Sequence, residues 1–167
     1  KSIKQFSTRM RVIILDSSAK TAIEAASSLG CDVGAIVKSL LFKTENTFTL
    51  FLVSGDKKVS LNKIKKTLNI KDASMASPED VKKITGYTIG GVSPVGHSSK
   101  MNVYIDKTLE RYANLFAAAG HPNCVFKTNF DDLKKITNGF IKDNHAGYLG
   151  NNIIANTIYN KIIEYVK

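Results

Sequence analysis

The chain has 167 residues, 43% of them hydrophobic, and a formal net charge of +10, enough for one compact domain with its own core. No apolar run approaches the roughly 20 residues of a membrane helix, and the start, KSIKQFSTRM, lacks a signal peptide's apolar stretch, so a soluble protein with no membrane partner is expected. Two cysteines, Cys31 and Cys124, exclude a disulfide framework, and no CxxC or paired His/Cys spacing marks a structural zinc site, which fits a reducing, cytoplasmic compartment.

The first predicted helix is TAIEAASSLG. Thr21 and Glu24 have capping-box spacing, Ala22, Ala25, Ala26 and Leu29 share a face, and Gly30 stands where a helix stops. IVKSLLF follows as a strand, and alternation puts Lys38, Leu40 and Phe42 on one face and Val37, Ser39 and Leu41 on the other. Both faces are largely apolar, so this is a central strand. A buried ammonium there is costly unless it is paired or faces a ligand, so Lys38 should line a pocket or reach its rim.

TFTLFLV reads as the next strand, closed by a tight turn around Gly55 in SGDKK. SLNKIKKTLN and SPEDVKKITG read as helices; in the second, Ser77 caps, Pro78 takes the first position, Glu79 and Asp80 sit at the positive dipole end, and Gly86 terminates. YTIGGV, MNVYID, LFAAA and CVFKT complete the strand candidates, and NFDDLKKITNG is a further short helix. From Tyr148, Ile154, Ile158, Ile162 and Tyr165 fall at the spacing of a terminal amphipathic helix. The expected fold is α/β with a mixed sheet.

GYTIGGVSPVGH, Gly86 to His97, holds four of the eleven glycines. Within it GVSPVGHS departs from the GxxxxGK[ST] phosphate loop at His97, where lysine belongs. A phosphate loop cradles anions with consecutive N–H groups and opens a helix, whereas Pro94 removes a donor and a strand follows. A nucleotide triphosphatase is therefore not expected. Gly90 and Gly91 let the main chain approach something closely while Pro94 stiffens the turn; a bulge between strands is the alternative.

Taken in order, EAASSLGCDVGAIVKSLLF, FLVSGDKKVSLNKI, ASPEDVKKITGYTIGGVSPVGH, VYIDKTLERY, AAAGHPNCVFKT and DDLKKIT make a series that resembles the YbaK family of aminoacyl-tRNA editing domains, from about Thr21 to Ile141. The resemblance implies a largely antiparallel, mixed pseudo-barrel sheet flanked by short helices. It also implies hydrolysis of the ester joining a wrong amino acid to the 3′-terminal adenosine of tRNA. The family's lysine falls on Lys38, where it would engage the terminal nucleotide and place the ester. The GxxxP loop falls on Gly90 to Pro94, with Gly91 beside it, and its main chain would hold the aminoacyl group and a water. Gly120 and His121 of AAAGHP fall on another pocket-lining segment, where relatives differ with the amino acid removed.

An aminoacyl ester is labile, so orientation and electrostatics suffice. No Ser/His/Asp set appears; Cys124 lies three residues after His121, but no third group orients the pair, and Cys124 reads as a core or surface cysteine. A zinc site drawn from Cys31, His97, His121 and Cys124 has unfamiliar spacing. Neither cofactor nor catalytic metal is expected.

Lys38, Gly90 and Gly91 are thus the expected catalytic positions, and Ser39, Ser93, Pro94, Gly96, Gly120 and His121 the expected substrate contacts; His121 could equally be a turn histidine before Pro122. His97 and His145 are expected at the surface. The partners are tRNA, chiefly tRNA for proline carrying alanine or cysteine, and an aminoacyl-tRNA synthetase. A non-catalytic tRNA- or synthetase-binding module is the alternative. With 21 lysines against 3 arginines, the charge reads either as phosphate affinity or as solvated surface; Lys63, Lys65, Lys66, Lys82 and Lys83 are the candidates for the acceptor stem. Residues 1–147 are expected to form the editing domain and 148–167 a helical extension. The leading Lys in place of Met suggests a chain trimmed or cut from a longer polypeptide.

Overall fold

Hydrogen-bonded caps fix the helices where the sequence places them. A computed structural model describes residues 11–16 and 19–142. In α1 (Ala22–Leu29) the Thr21 N–H donates to Glu24 Oε2 at 3.0 Å and the Glu24 N–H to Thr21 Oγ1 at 3.2 Å, while Gly30 closes the helix in the left-handed region at φ 62°. Ser60 caps α2 (Leu61–Leu68) and Ser77 caps α3 (Pro78–Thr85), with Pro78 leading the latter. The fourth helix, α4, runs Phe130–Lys142. The predicted helix from Tyr148, and with it the division at residue 148, lies outside the described residues.

Seven strands form one mixed sheet: β1 (Val12–Ile14), β2 (Ile36–Thr44), β3 (Thr47–Ser54), β4 (Ala73–Met75), β5 (Asn102–Ile105), β6 (Leu115–His121) and β7 (Cys124–Thr128). Their order is β1-β7-β6-β2-β3-β5, with β4 joined to β2. The β2–β6 and β3–β5 pairs are parallel; β1–β7, β2–β3, β2–β4 and β6–β7 are antiparallel. The expected mixed, largely antiparallel sheet flanked by short helices is therefore present. YTIGGV is not a strand. The Gly91 N–H donates to the Thr88 carbonyl at 3.0 Å, closing a turn that two adjacent glycines permit and an extended strand would not contain.

β3 is buried on both faces, as a central strand must be. Leu50 and Leu52 join Val37 and Leu41 of β2, Val81 of α3 and Leu133 of α4 in the main core. Phe51 and Val53 point the other way, to Phe42 of β2 and Ile64 of α2. A third cluster packs Ala25 and Ala26 of α1 over Ile36 and Val125. At about 1.5–3 kcal/mol per fully buried large apolar side chain, this double-sided packing makes β2 and β3 a rigid frame for the groups they carry.

Candidate active site

β2 is paired along one edge and interrupted along the other. Against β3 the ladder runs without a break from Val37 to Thr44. On the opposite edge β6 pairs only with Ile36 and Val37, and β4 only with Phe42 to Thr44, extended by the Ala76 N–H donating to the Leu41 carbonyl at 3.0 Å. Between them, among the described residues, Lys38, Ser39 and Leu40 have no strand beside them on this edge. A cavity of about 360 Å³ lies at this break.

The polar groups turned into the break follow from strand geometry. Leu41 and Glu45 direct main-chain groups to the β4 side, the Leu41 carbonyl to Ala76 and the Glu45 N–H to the Asp72 carbonyl. The two-residue period then turns the N–H and carbonyl of Ser39 toward the same edge, into the break. The Ser39 hydroxyl is buried as well and has no hydrogen-bond partner among the described residues. A buried, unpartnered hydroxyl costs stability, and such groups cluster where a ligand completes them.

Lys38 is half-buried, and its Nζ donates to the carbonyl of Lys57 in the turn after β3. Burial pulls its pKa below the usual lysine range; the carboxylates of Asp56 and Asp106 act against this, and Lys58 adds to it. The remaining walls are mainly apolar, with Ala19 and Ala25 from the α1 side, Ala76 and Val81 from the α3 side, and Ala118 and Cys124 from β6 and β7. Among the described residues no carboxylate or imidazole lines the cavity, and no three His, Cys, Asp or Glu side chains converge as a metal site. The chemistry on offer is lysine side chains, hydroxyls and main-chain donors and acceptors in a largely apolar pocket, which suits binding and polarising an ester more than attacking it directly.

Of the residues singled out in the sequence, Lys38, Ser39 and Gly90 line the cavity together. Gly90 has φ 86°, and a methyl group there would lie 3.5 Å from Lys20 Cα. Gly91, Gly120 and His121 are not among the lining residues: a methyl at Gly91 would meet His121 Cα at 3.0 Å, and one at Gly120 the Tyr87 ring at 3.0 Å. The His121 side chain is exposed and its Nδ1 accepts from the Asn123 N–H at 3.2 Å, closing the β6–β7 turn, while Pro122 reaches the cavity.

Ser93, Pro94 and Gly96 lie outside the cavity lining. The Ser93 Oγ accepts from the Val95 N–H at 3.4 Å, the Ser93 carbonyl lies 2.7 Å from His97 Nε2, and the Tyr87 hydroxyl donates to the Val95 and Gly96 carbonyls. His97, expected at the surface, is only 9% exposed, with its ring edge-on to Tyr87 and its pKa lowered by burial. The loop folds over its own histidine and draws that ring inside. His145 lies outside the described residues.

Lys20, Met75 and Phe116 also line the cavity and were not singled out in the sequence, and so does Cys124, which was read there as a core or surface cysteine. Their only common signal is long-range pairing, which brings segments from residue 20 to residue 124 to one place.

The family model for the aminoacyl-tRNA editing domain matches residues 16–136. The uncharacterized protein YwhH of Bacillus subtilis is 32% identical over 134 residues, 80% of this chain and 85% of that protein. The proline–tRNA ligase of Caldicellulosiruptor bescii is 35% identical over 127 residues, which are 71% of this chain but only 22% of that enzyme. Among solved structures, a candidate trans-editing enzyme for prolyl tRNA synthetase superposes with a TM-score of 0.77 at 37% identity, covering 81% of this chain and 87% of its own.

Proposed function

Because the chain belongs to the aminoacyl-tRNA editing domain family, we propose that its cavity hydrolyses the ester of a mischarged tRNA. The substrate favoured is tRNA for proline carrying a small wrong amino acid such as alanine or cysteine. The observation that carries this reading is the break beside β2, where Ser39 and Lys38 supply unpaired polar groups and a cation to a pocket walled mainly by apolar side chains.

In this reading the Lys38 ammonium holds the ribose-phosphate end of the tRNA and so places the reacting ester. The Ser39 N–H and hydroxyl hold the carbonyl oxygen of the ester, which gains charge as water adds; the acyl C–O bond then breaks, and the proton shed by the water goes to the departing ribose oxygen. The main chain at Gly90, with Gly91 packed against His121, places the aminoacyl group and the water. Ser93, Pro94 and Gly96 act through the loop they brace, and Gly120 and His121 act from outside the lining. Hydrolysis then rests on orientation and charge, with no covalent intermediate.

Deacylation of a panel of mischarged tRNAs tests the reading. Alanyl- or cysteinyl-tRNA for proline should lose its amino acid at a rate far above spontaneous hydrolysis, while correctly charged prolyl-tRNA persists. No acceleration with any member of the panel would leave the binding-module alternative in its place.

Ser39→Ala separates function from stability at one atom. Deleting a hydroxyl that lacks a partner leaves folding stability within about 1 kcal/mol of wild type, or above it. The same change should lower kcat/KM about 10²- to 10³-fold, as loss of a donor to the developing oxyanion does. Urea denaturation and single-turnover deacylation read the two effects; a marked loss of stability with full activity would make Ser39 an ordinary core residue.

A further inference from the structure

The acceptor that holds the Lys38 ammonium belongs to neither neighbouring strand. It is the carbonyl of Lys57, in a turn closed by the Lys57 N–H donating to the Ser54 carbonyl at 3.0 Å. That turn is anchored by side chains distant in sequence. The Ser54 N–H donates to Asp106 Oδ2 at 3.1 Å, and Asp106 in turn accepts from the Thr108 N–H at 2.9 Å and the Thr108 hydroxyl at 2.8 Å.

The Arg111 Nη2 lies 3.0 Å from both carboxylate oxygens of Asp56 and 3.2 Å from Ser54 Oγ, while Arg111 Nε donates to the Thr108 carbonyl at 2.7 Å. The guanidinium also lies over the Tyr112 ring at 5.0 Å. Side-chain exposures of 42% for Arg111 and 34% for Asp56 put this ion pair in the class that adds little to folding. Its geometric effect is specific: it holds the segment that carries the Lys57 carbonyl.

Resting on the deacylase reading above, we infer that Asp56 and Arg111 are positioning residues for Lys38, clamping the turn whose Lys57 carbonyl aims the ammonium at the break in the sheet. Neither touches the cavity. The charged groups acting on Lys38 are Asp56 and Lys58 on this turn and Asp106 beyond β5; Lys20 also lines the cavity. Asp56 and Asp106 favour the charged amine, so neutralising Asp56 should also bring the alkaline fall in activity to lower pH.

The test joins chemical labelling with a double-mutant cycle. Trace acetylation of the folded protein with acetic anhydride, read by mass spectrometry, should label Lys38 several-fold faster relative to Lys20 in Asp56→Asn and in Arg111→Met, because the amine is released from its acceptor. In deacylation, each variant should lower kcat about 10-fold with KM changed less than about 3-fold, and the effect should vanish in the Lys38→Ala background, as for groups that act as a unit. A merely structural clamp would lower the rate by the same factor with or without Lys38.

Unchanged labelling in both variants, or additive losses in the cycle, overturns the inference. Altered labelling in a chain that deacylates nothing supports the clamp and overturns the deacylase reading instead, so the two failures are distinguishable.

Discussion

Lys38→Ala should lower the rate of ester hydrolysis by about 10²-fold while leaving the protein folded, the loss expected when a group that places the reacting ester is removed. A half-buried ammonium, with its pKa drawn down by desolvation, is held against its preference for water. The Lys57 carbonyl that accepts from it lies in a turn already secured by other bonds. Removing the side chain therefore takes away no large share of the core, and thermal denaturation should give a midpoint within a few degrees of wild type.

Catalysis loses the cation that stands on a central strand next to the unpartnered Ser39 hydroxyl. Lys38→Arg should not rescue the rate, because a planar guanidinium cannot take the place of a compact ammonium whose carbonyl acceptor and charged neighbours are fixed. Single-turnover deacylation of alanyl-tRNA for proline measures both variants. Undiminished hydrolysis by Lys38→Ala would remove Lys38 from the chemistry and leave the activity itself standing.

What could be read from the sequence was whatever local chemistry determines. Thr21, Ser60 and Ser77 announced their helices because a cap is a contact between residues three apart. IVKSLLF announced a two-faced strand because alternation is local: Val37 and Leu41 enter one cluster and Phe42 another, as the predicted faces require, while Ile36 at its start joins the third. The three-residue strands β1 and β4 carried no period to detect; each exists because a partner strand pairs with it. The misread YTIGGV shows the converse, since Thr88 and Ile89 favour a strand while the glycines beside them make a turn.

The site divides in the same way. Lys38, Ser39 and Gly90, which line the cavity, were legible as residues too polar or too bare for their surroundings. The break in the sheet was not, because it depends on β6 leaving β2 after Val37, a long-range event no window of sequence contains. Once the break is known, Ser39 gains weight over Ser93, whose hydroxyl and carbonyl are occupied within their own loop.

The largest stability loss expected from a single methyl group is at Gly55. An added Cβ would stand 2.0 Å from the Val33 carbonyl oxygen and 3.1 Å from Ala22 Cβ. The first of these is main chain in the 3₁₀ turn Val33–Ala35, and the carbonyl of the residue after it, Gly34, accepts from the Ser54 hydroxyl at 2.6 Å, so the obstacle cannot swing aside. Overpacking against a fixed backbone usually costs about 1–3 kcal/mol, and this approach is close enough to place Gly55→Ala at the upper end, about 3 kcal/mol.

Gly30→Ala is the control. Gly30 has φ 62° but nothing within 4 Å of an added methyl, so only the left-handed backbone is penalised, by about 1 kcal/mol. Urea denaturation of the two variants should separate them by about 2 kcal/mol, and only Gly55→Ala, which displaces the turn carrying the Lys57 carbonyl, should also slow deacylation in the surviving folded fraction. Equal stability of the two would mean that the turn relaxes away from Val33, and a turn able to relax in that way could not hold Lys38 in register with the break beside β2.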